Sequence, residues 1–203
     1  MIVKKCKICR RLGEKLFIAG DRCASVKCAA VRKRAPQGRR GYKKSSEYNS
    51  QLKEKQKLKF LYGLREKQFK NYVKAALKKK QKDTAAALME SLESRLDNAA
   101  YRLGFARSRS AAKQMVSHGH LLVNDKKTSI PSFRLRVGDR ISIKENSQNK
   151  QIFRDLDIIL KRRQPSAWLK LDKVKKEGEV ISKPSEQKDY QIDTKAIIEF
   201  YLR

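Results

Sequence analysis

Hydrophobic positions recur at helical spacing through most of the chain. Phe69, Tyr72, Val73, Ala76 and Leu77 fall at i, i+3, i+4, i+7 and i+8 and predict a helix over 66–80. Before it, Tyr48, Leu52, Leu58, Leu61 and Tyr62 make a looser stripe, opened by Ser45-Ser46 and broken by Gly63. Leu88, Leu92, Leu96, Ala99 and Leu103 run behind Asp83-Thr84 in one unbroken period and predict a single long helix over 83–103, ended by Gly104. A shorter helix opens at the N-cap Ser108, carries Ala112, Met115 and Val116, and stops at Gly119. There the period changes. Leu121 to Val123 reads as a short strand, and Asn124-Asp125 as a tight turn, because both residues tolerate positive φ. A second strand is expected over 128–130, ended by Pro131, and a third over 140–144, which alternates polar and apolar. The stretch 145–150 reads as a loop, 152–161 as a helix, and 173–185 as irregular chain. Trp168-Leu169 reads as a packing site. Asp193 caps a last helix with Ala196, Ile197, Phe200 and Tyr201 on one face. So short a terminal helix cannot stand alone. It is expected to dock on the early helices, which lack a full core.

At 203 residues the chain suits one large domain or two small ones. Charge changes the picture most. Fifty-one Lys and Arg stand against 21 Asp and Glu, a formal charge of +30, which opposes compaction unless a polyanion neutralises it. Nucleic acid is the first candidate. An anionic membrane is the rival, but no long apolar run and no signal peptide is present, so a cytoplasmic protein with no membrane partner is expected.

The charges are also placed. Arg107 and Arg109 bracket Ser108, and Lys113 lies one turn further on. A helix N-terminus already attracts anions, and arginines there add charge-assisted bonds to phosphate. Lys67, Lys70, Lys74 and Lys78 line the side opposite Phe69 and Val73. A solvated face is the ordinary explanation of any one such run; the cap, the arginines and the overall charge together favour RNA phosphate. His118 and His120, in the helix-to-strand turn, join this set through a turn role and not as catalysts. No nucleophile–base pair or Gly-rich phosphate loop appears, so neither an enzyme nor a small-molecule substrate is expected.

All four cysteines lie near the N-terminus: Cys6, Cys9, Cys23 and Cys28. Two close pairs let four thiolates converge on one tetrahedral ion. Zinc is the first choice, and a four-cysteine iron–sulfur cluster uses the same ligand set. Lys5, Lys7, Arg10, Arg11 and Arg22 surround the ligands and would offset thiolate charge or meet phosphate. From 31 to 44 the chain reads as an extended basic linker, carrying Arg39, Arg40, Lys43 and Lys44 toward RNA.

These residues also carry a resemblance. Ser108-Arg109, Ala112, His118-Gly119-His120, Val123-Asn124 and Val137-Gly138-Asp139 resemble the small RNA-binding module named after the fourth protein of the small ribosomal subunit. That module also occurs in tyrosyl-tRNA synthetases, pseudouridine synthases and small heat-shock RNA-binding proteins. The wider pattern narrows the match. Ser46 to Gln56, Tyr62-Gly63, Glu66 to Phe69, Glu93 to Asn98, Tyr101 to Ala106 and Ile198 to Tyr201, with the four cysteines, resemble the bacterial small-subunit ribosomal protein four family, in its cysteine-containing form, in order and over nearly the whole chain. The family has Asn-Gly where this chain has Asn124-Asp125, and Pro-Pro-Gly-x-His-Gly where it has 35–41.

The resemblance implies an α+β fold. A four-cysteine metal knuckle and linker would occupy 1–45, and a helical domain 46–92 closed by the tail 186–203. The RNA-binding module, helices plus a small antiparallel sheet, would be inserted as 93–185. It implies a structural, non-enzymatic constituent of the small ribosomal subunit that binds small-subunit ribosomal RNA and nucleates its five-prime domain. The same family affects decoding accuracy and contacts the fifth-numbered small-subunit protein. It helps line the messenger RNA entry channel with the third and fifth. Two rival functions share parts of the pattern. An RNA-modifying enzyme would need a catalytic domain for which no length remains. A zinc-containing DNA regulator would need a DNA-reading motif, and competition by duplex DNA separates it.

Overall fold

The computed structural model describes residues 5–26, 28, 30, 46–78, 83–162, 164–184 and 192–202. Its helices are α1 (Lys5–Leu12), α2 (Asp21–Ala24), α3 (Glu47–Leu61), α4 (Glu66–Lys78), α5 (Thr84–Glu93), α6 (Leu96–Leu103), α7 (Arg109–Ser117), α8 (Glu145–Gln148), α9 (Leu156–Arg162) and α10 (Thr194–Leu202). The strands are β1 (Leu121–Val123), β2 (Lys126–Lys127), β3 (Arg140–Ile143), β4 (Leu169–Asp172) and β5 (Glu177–Val180). The fold is α+β. The chain divides within α5 into two compact units, Met1–Ala85 with Lys188–Arg203, and Ala86–Gln187.

The first unit is helical. Ser46 caps α3 by accepting the Asn49 N–H at 3.3 Å, and Gly63 leaves the helix at φ 61°. α4 buries Phe69, Val73 and Ala76 and exposes Lys67, Lys70, Lys74 and Lys78, as the period predicts. α10 docks on α3, as expected of a helix too short to stand alone. Asp193 caps it through the Ala196 N–H at 3.0 Å, and Ile197 is fully buried. The polar positions that spoil the apolar stripe of α3 serve this contact. Gln51 donates to Glu199 at 3.2 Å, and Glu54 accepts the Asp193 N–H at 3.1 Å. Buried Lys55 lies over the Phe200 ring at 4.5 Å and reaches Glu66 at 2.6 Å. Desolvation would raise the Glu66 carboxyl, but hydrogen bonds from Lys55 and Lys59 hold it below its ordinary value. Burial, with Glu66 nearby, pushes the Tyr201 phenol up to about 12, so it stays neutral.

The second unit is built on a five-stranded antiparallel sheet, in the order β2-β1-β3-β5-β4 among the described residues. Its core holds Leu96, Leu103, Phe105, Met115, Leu121, Ile141, Leu160 and Trp168. Trp168 is buried, as expected of a packing site. Gly178 lets α6 lie close on β5: a Cβ there would come within 2.3 Å of the Leu103 side chain.

Several expectations need correction here. The long helix over 83–103 is two helices. Arg95 takes an extended conformation, φ −70° and ψ 139°, and bridges to Arg134. The Leu96 and Asp97 N–H groups at the new helix start donate to the carbonyls of Phe133 (2.9 Å) and Pro131 (3.2 Å). A distant loop thus satisfies N–H groups that a continuous helix would have satisfied itself. The second strand is Lys126–Lys127 and not 128–130. Asn124 and Asp125 take φ of 50° and 63°, and this two-residue turn sets Lys126 directly opposite Val123. The expected loop 145–150 contains α8, whose buried Ser147 anchors it. The expected helix 152–161 is a 3-10 turn over Gln151–Phe153 followed by α9. The stretch 173–185 contains β5, which pairs with both β3 and β4. The Asp172 carboxylate closes the β4–β5 turn by accepting the Val174 and Lys175 N–H groups at 2.9 and 3.0 Å, and Lys176 takes φ 55°.

Candidate nucleic-acid interface

Ser108 opens α7 as an N-cap, its Oγ accepting the Ala111 N–H at 3.2 Å. The arginines on either side of it are held differently. Arg107 is exposed and pairs with the exposed carboxylate of Asp155. Arg109 is half-buried. Its Nε donates to Asn98 Oδ1 at 2.8 Å, and its guanidinium lies over the Tyr101 ring, 4.6 Å from the centroid. Lys113 is also half-buried, one turn along α7. Arg109 and Lys113 lie in the first turns of α7, Ser108 caps it, and Arg107 immediately precedes the cap.

The far end of α7 closes in a left-handed cap. The Gly119 N–H donates to Val116 O at 2.8 Å and the His120 N–H to Met115 O at 3.2 Å. Gly119 has φ 68°, and a Cβ there would also meet the Lys127 side chain at 2.4 Å. His118 is exposed. His120 is half-buried, its Nδ1 3.0 Å from Ser147 Oγ and its ring edge-on to Phe153 at 6.0 Å. Burial, then the charges of Lys150 and His118, holds its imidazole below the ordinary value, so it is neutral at pH 7. It ties the turn to α8, which is a structural role.

The sheet adds cations that the sequence reading did not single out. Lys126 and Lys127 on β2, Arg140 on β3, and Arg134 and Arg136 between them are exposed. Asn124 locks this corner by accepting the Arg140 N–H at 2.9 Å and donating to Asp139 at 2.9 Å.

In the helical unit, Lys67, Lys70 and Lys74 form an exposed row on α4. Lys7, Arg10 and Arg11 are exposed on α1, whereas Lys5 is half-buried. Arg39, Arg40, Lys43 and Lys44 lie outside the described residues. Cys6, Cys9, Cys23 and Cys28 are not joined in disulfides and line one cavity of about 10 Å³ together with Lys5, Ile18, Ala19 and Ala30. Turns at Phe17 (φ 50°) and Gly20 (φ 64°) fold the second pair back toward the first. Burial pushes the Cys9 thiol up, against a backbone hydrogen bond at Leu16, and the three other cysteines add to the rise. The Ala19 N–H donates to Cys23 Sγ at 3.3 Å. By donor chemistry alone, four soft sulfurs are the set a thiophilic ion takes. Among the described residues, no three histidine, cysteine or carboxylate side chains converge closely enough to hold a metal as they stand.

Sequence reasoning missed the polar network under α7. Glu93 is fully buried and accepts from Arg102 Nη2 at 3.0 Å, Arg102 Nε at 3.3 Å and Asn98 Nδ2 at 2.7 Å. The signal was a cluster of charged and amide residues, Glu93, Arg95, Asp97 and Asn98, between the apolar positions of one hydrophobic period. Buried charges of this kind require partners.

Two family models match the chain: the ribosomal protein S4/S9 N-terminal domain over residues 2–93, and the S4 domain over residues 94–141. Among known proteins it is 45% identical to small ribosomal subunit protein uS4 of Syntrophomonas wolfei, over 98% of this chain and 96% of the relative. It is 46% identical to that of Syntrophobacter fumaroxidans, with the same coverage. It is 43% identical to that of Thermus thermophilus, again over 98% and 96%. With both domain matches in chain order and this identity along nearly its entire length, the chain belongs to the small ribosomal subunit protein uS4 family, a family of ribosomal proteins and not of enzymes.

Proposed function

We propose that this protein is a structural constituent of the small ribosomal subunit that binds small-subunit ribosomal RNA directly, through phosphates and the shape of a folded junction. The observation that carries the reading is the start of α7, where a capped helix N-terminus, Arg107, Arg109 and Lys113 meet within the matched S4 domain. Backbone N–H groups and guanidinium favour the same phosphate there. Few aromatics interleave with these cations, so stacking on single-stranded bases is a minor part of recognition. The exposed lysines of α4, the cations of α1 and the linker residues 31–44 extend the phosphate-facing set. The finer reading follows family membership: nucleation of five-prime domain assembly, contact with the fifth and third small-subunit proteins, and a share in decoding accuracy and the messenger entry channel. The cytoplasmic small subunit is then its location, and 1–45, 46–92 with 186–203, and 93–185 are its working divisions.

Binding will weaken steeply with salt, because each neutralised phosphate releases counterions. Replacing Arg107 and Arg109 together by Ala will lower affinity for a folded five-prime-domain RNA fragment. It will also flatten the salt slope by roughly one to two units, at about 0.7–0.9 per lost contact. An unchanged slope with unchanged affinity places the RNA on another face. Full competition by duplex DNA would favour the DNA-regulator reading.

The four cysteines supply a zinc site in this proposal, with an iron–sulfur cluster as the alternative on the same thiolates. Bound there, the metal would cross-link 5–12 to 23–28 in a segment whose own apolar core is small. Elemental analysis of purified, fully reduced protein will find one metal centre per chain. Chelation will then speed hydrogen exchange over 5–24. Folded, reduced protein with neither stoichiometric zinc nor iron would remove the metal from the proposal.

A further inference from the structure

We propose that Asn98 is a positioning residue for RNA binding: it fixes the Arg109 guanidinium at the start of α7, as the last link of a buried relay anchored by Glu93 and Arg102. The inference rests on the reading that this face meets RNA.

The relay is ordered by what each group can offer. Glu93 is fully buried and acceptor-only, and Arg102, which is donor-only, reaches both of its oxygens, at 3.0 and 3.3 Å. The carboxylate therefore cannot turn freely. Asn98, 1% exposed, points its Nδ2 at Glu93 Oε2 (2.7 Å) and at the Glu93 carbonyl (3.0 Å). Two acceptors on that side dictate the amide orientation and leave Oδ1 facing the other way. Arg109 Nε donates to that oxygen at 2.8 Å. An amide is the group of this size that presents donors to one neighbour and an acceptor to the other. Asp at this position would set two carboxylates against each other, and an aliphatic residue would serve neither side.

Arg109 is thus held along one edge by Asn98 and across one face by the Tyr101 ring at 4.6 Å. A guanidinium fixed in two directions loses little rotamer freedom when it takes a phosphate, and that is where preorganisation adds affinity. Arg107 shows the contrast. Its side chain is 51% exposed and its carboxylate partner is equally exposed, a class of ion pair with little hold on geometry. If the buried polar groups served folding alone, the Glu93–Arg102 pair could close on itself. The relay instead runs outward to a cation beside a capped helix N-terminus.

The test is a mutant cycle on the full chain, reading affinity for a folded five-prime-domain RNA fragment against salt, with a thermal melt of each variant. Arg109→Lys keeps the charge and the stem but loses the Nε–H that Asn98 holds. It is expected to weaken binding about tenfold to a hundredfold, the scale of one charge-assisted hydrogen bond, while still melting cooperatively as a folded protein. Asn98→Ala is expected to weaken binding by a similar factor, and to add nothing in the Arg109→Lys background. A purely structural Asn98 would give equal losses in both backgrounds, which overturns the proposal. Wild-type affinity in Arg109→Lys overturns it as well, and that arm decides alone if Asn98→Ala does not fold. Failure of the wild-type protein itself to bind the fragment is a different result: it defeats the functional reading, and this inference with it.

Discussion

Glu93→Ala will destabilise the Ala86–Gln187 unit by about 3–5 kcal/mol, the range seen when one partner of a buried ion pair is removed. The Glu93 side chain has no exposure and that of Arg102 only 6%, so solvent does not replace the lost carboxylate. Asn98 loses one of the two acceptors that orient its amide in the same step, keeping only the backbone carbonyl. Glu93→Gln is the informative control. It keeps the volume and one acceptor, but turns a donor toward a site surrounded by donors, and should cost about 1–3 kcal/mol. Trp168, the chain's one tryptophan, is buried in this unit and reports its unfolding. The measurement is the urea midpoint of Trp168 fluorescence at unchanged m-value. A loss below about 1 kcal/mol for Glu93→Ala would mean that the site relaxes or admits water, and that the pair does not hold the unit together.

The legible parts of this fold are those whose cause is local. Ser46, Ser108 and Asp193 cap helices because a side-chain oxygen two or three residues away is all a cap needs. Gly119 ends α7 because left-handed φ is a property of the residue itself. The basic start of α7 is legible for the same reason, since the cap and its arginines are adjacent in sequence. What was not legible has a distant cause. Leu92, Leu96 and Ala99 keep one period straight through the break at Arg95, and all three are fully buried. The break is set by carbonyls of Pro131 and Phe133, more than thirty residues away. β5 carries Glu177 and Glu179 with a glycine between them, and its glycine is explained only by Leu103 lying against it. Arg109 reads as a phosphate ligand from its position in sequence. Its two holders, Asn98 and Tyr101, emerge only when α6 packs on α7.

Removing α10 from Thr194 onward will open α3 and α4 more than any single substitution in them. Ile197 is fully buried, and Ile197→Ala by itself should cost about 2–5 kcal/mol, the range for emptying such a site. Truncation adds the aromatic contacts of Tyr48 with Phe200 (5.5 Å) and Phe69 with Tyr201 (6.3 Å). It also strands polar groups. Lys55 is buried beneath Phe200 and Tyr201, and Gln51 is buried with Glu199 as a partner. Both would rehydrate, and the face of α3 that carries them has too few apolar residues to stay closed without its lid. Hydrogen exchange over 69–76 is the readout, because Phe69, Val73 and Ala76 are the most buried residues of α4. Their amides should lose protection on truncation by at least the factor that Ile197→Ala produces. Point variant and truncation together separate two causes. If truncation removes protection while Ile197→Ala does not, the polar contacts of α10 carry the docking. If neither does, α3 and α4 hold their core without the tail, and the position of α10 is a consequence of the helical unit and not a condition for it.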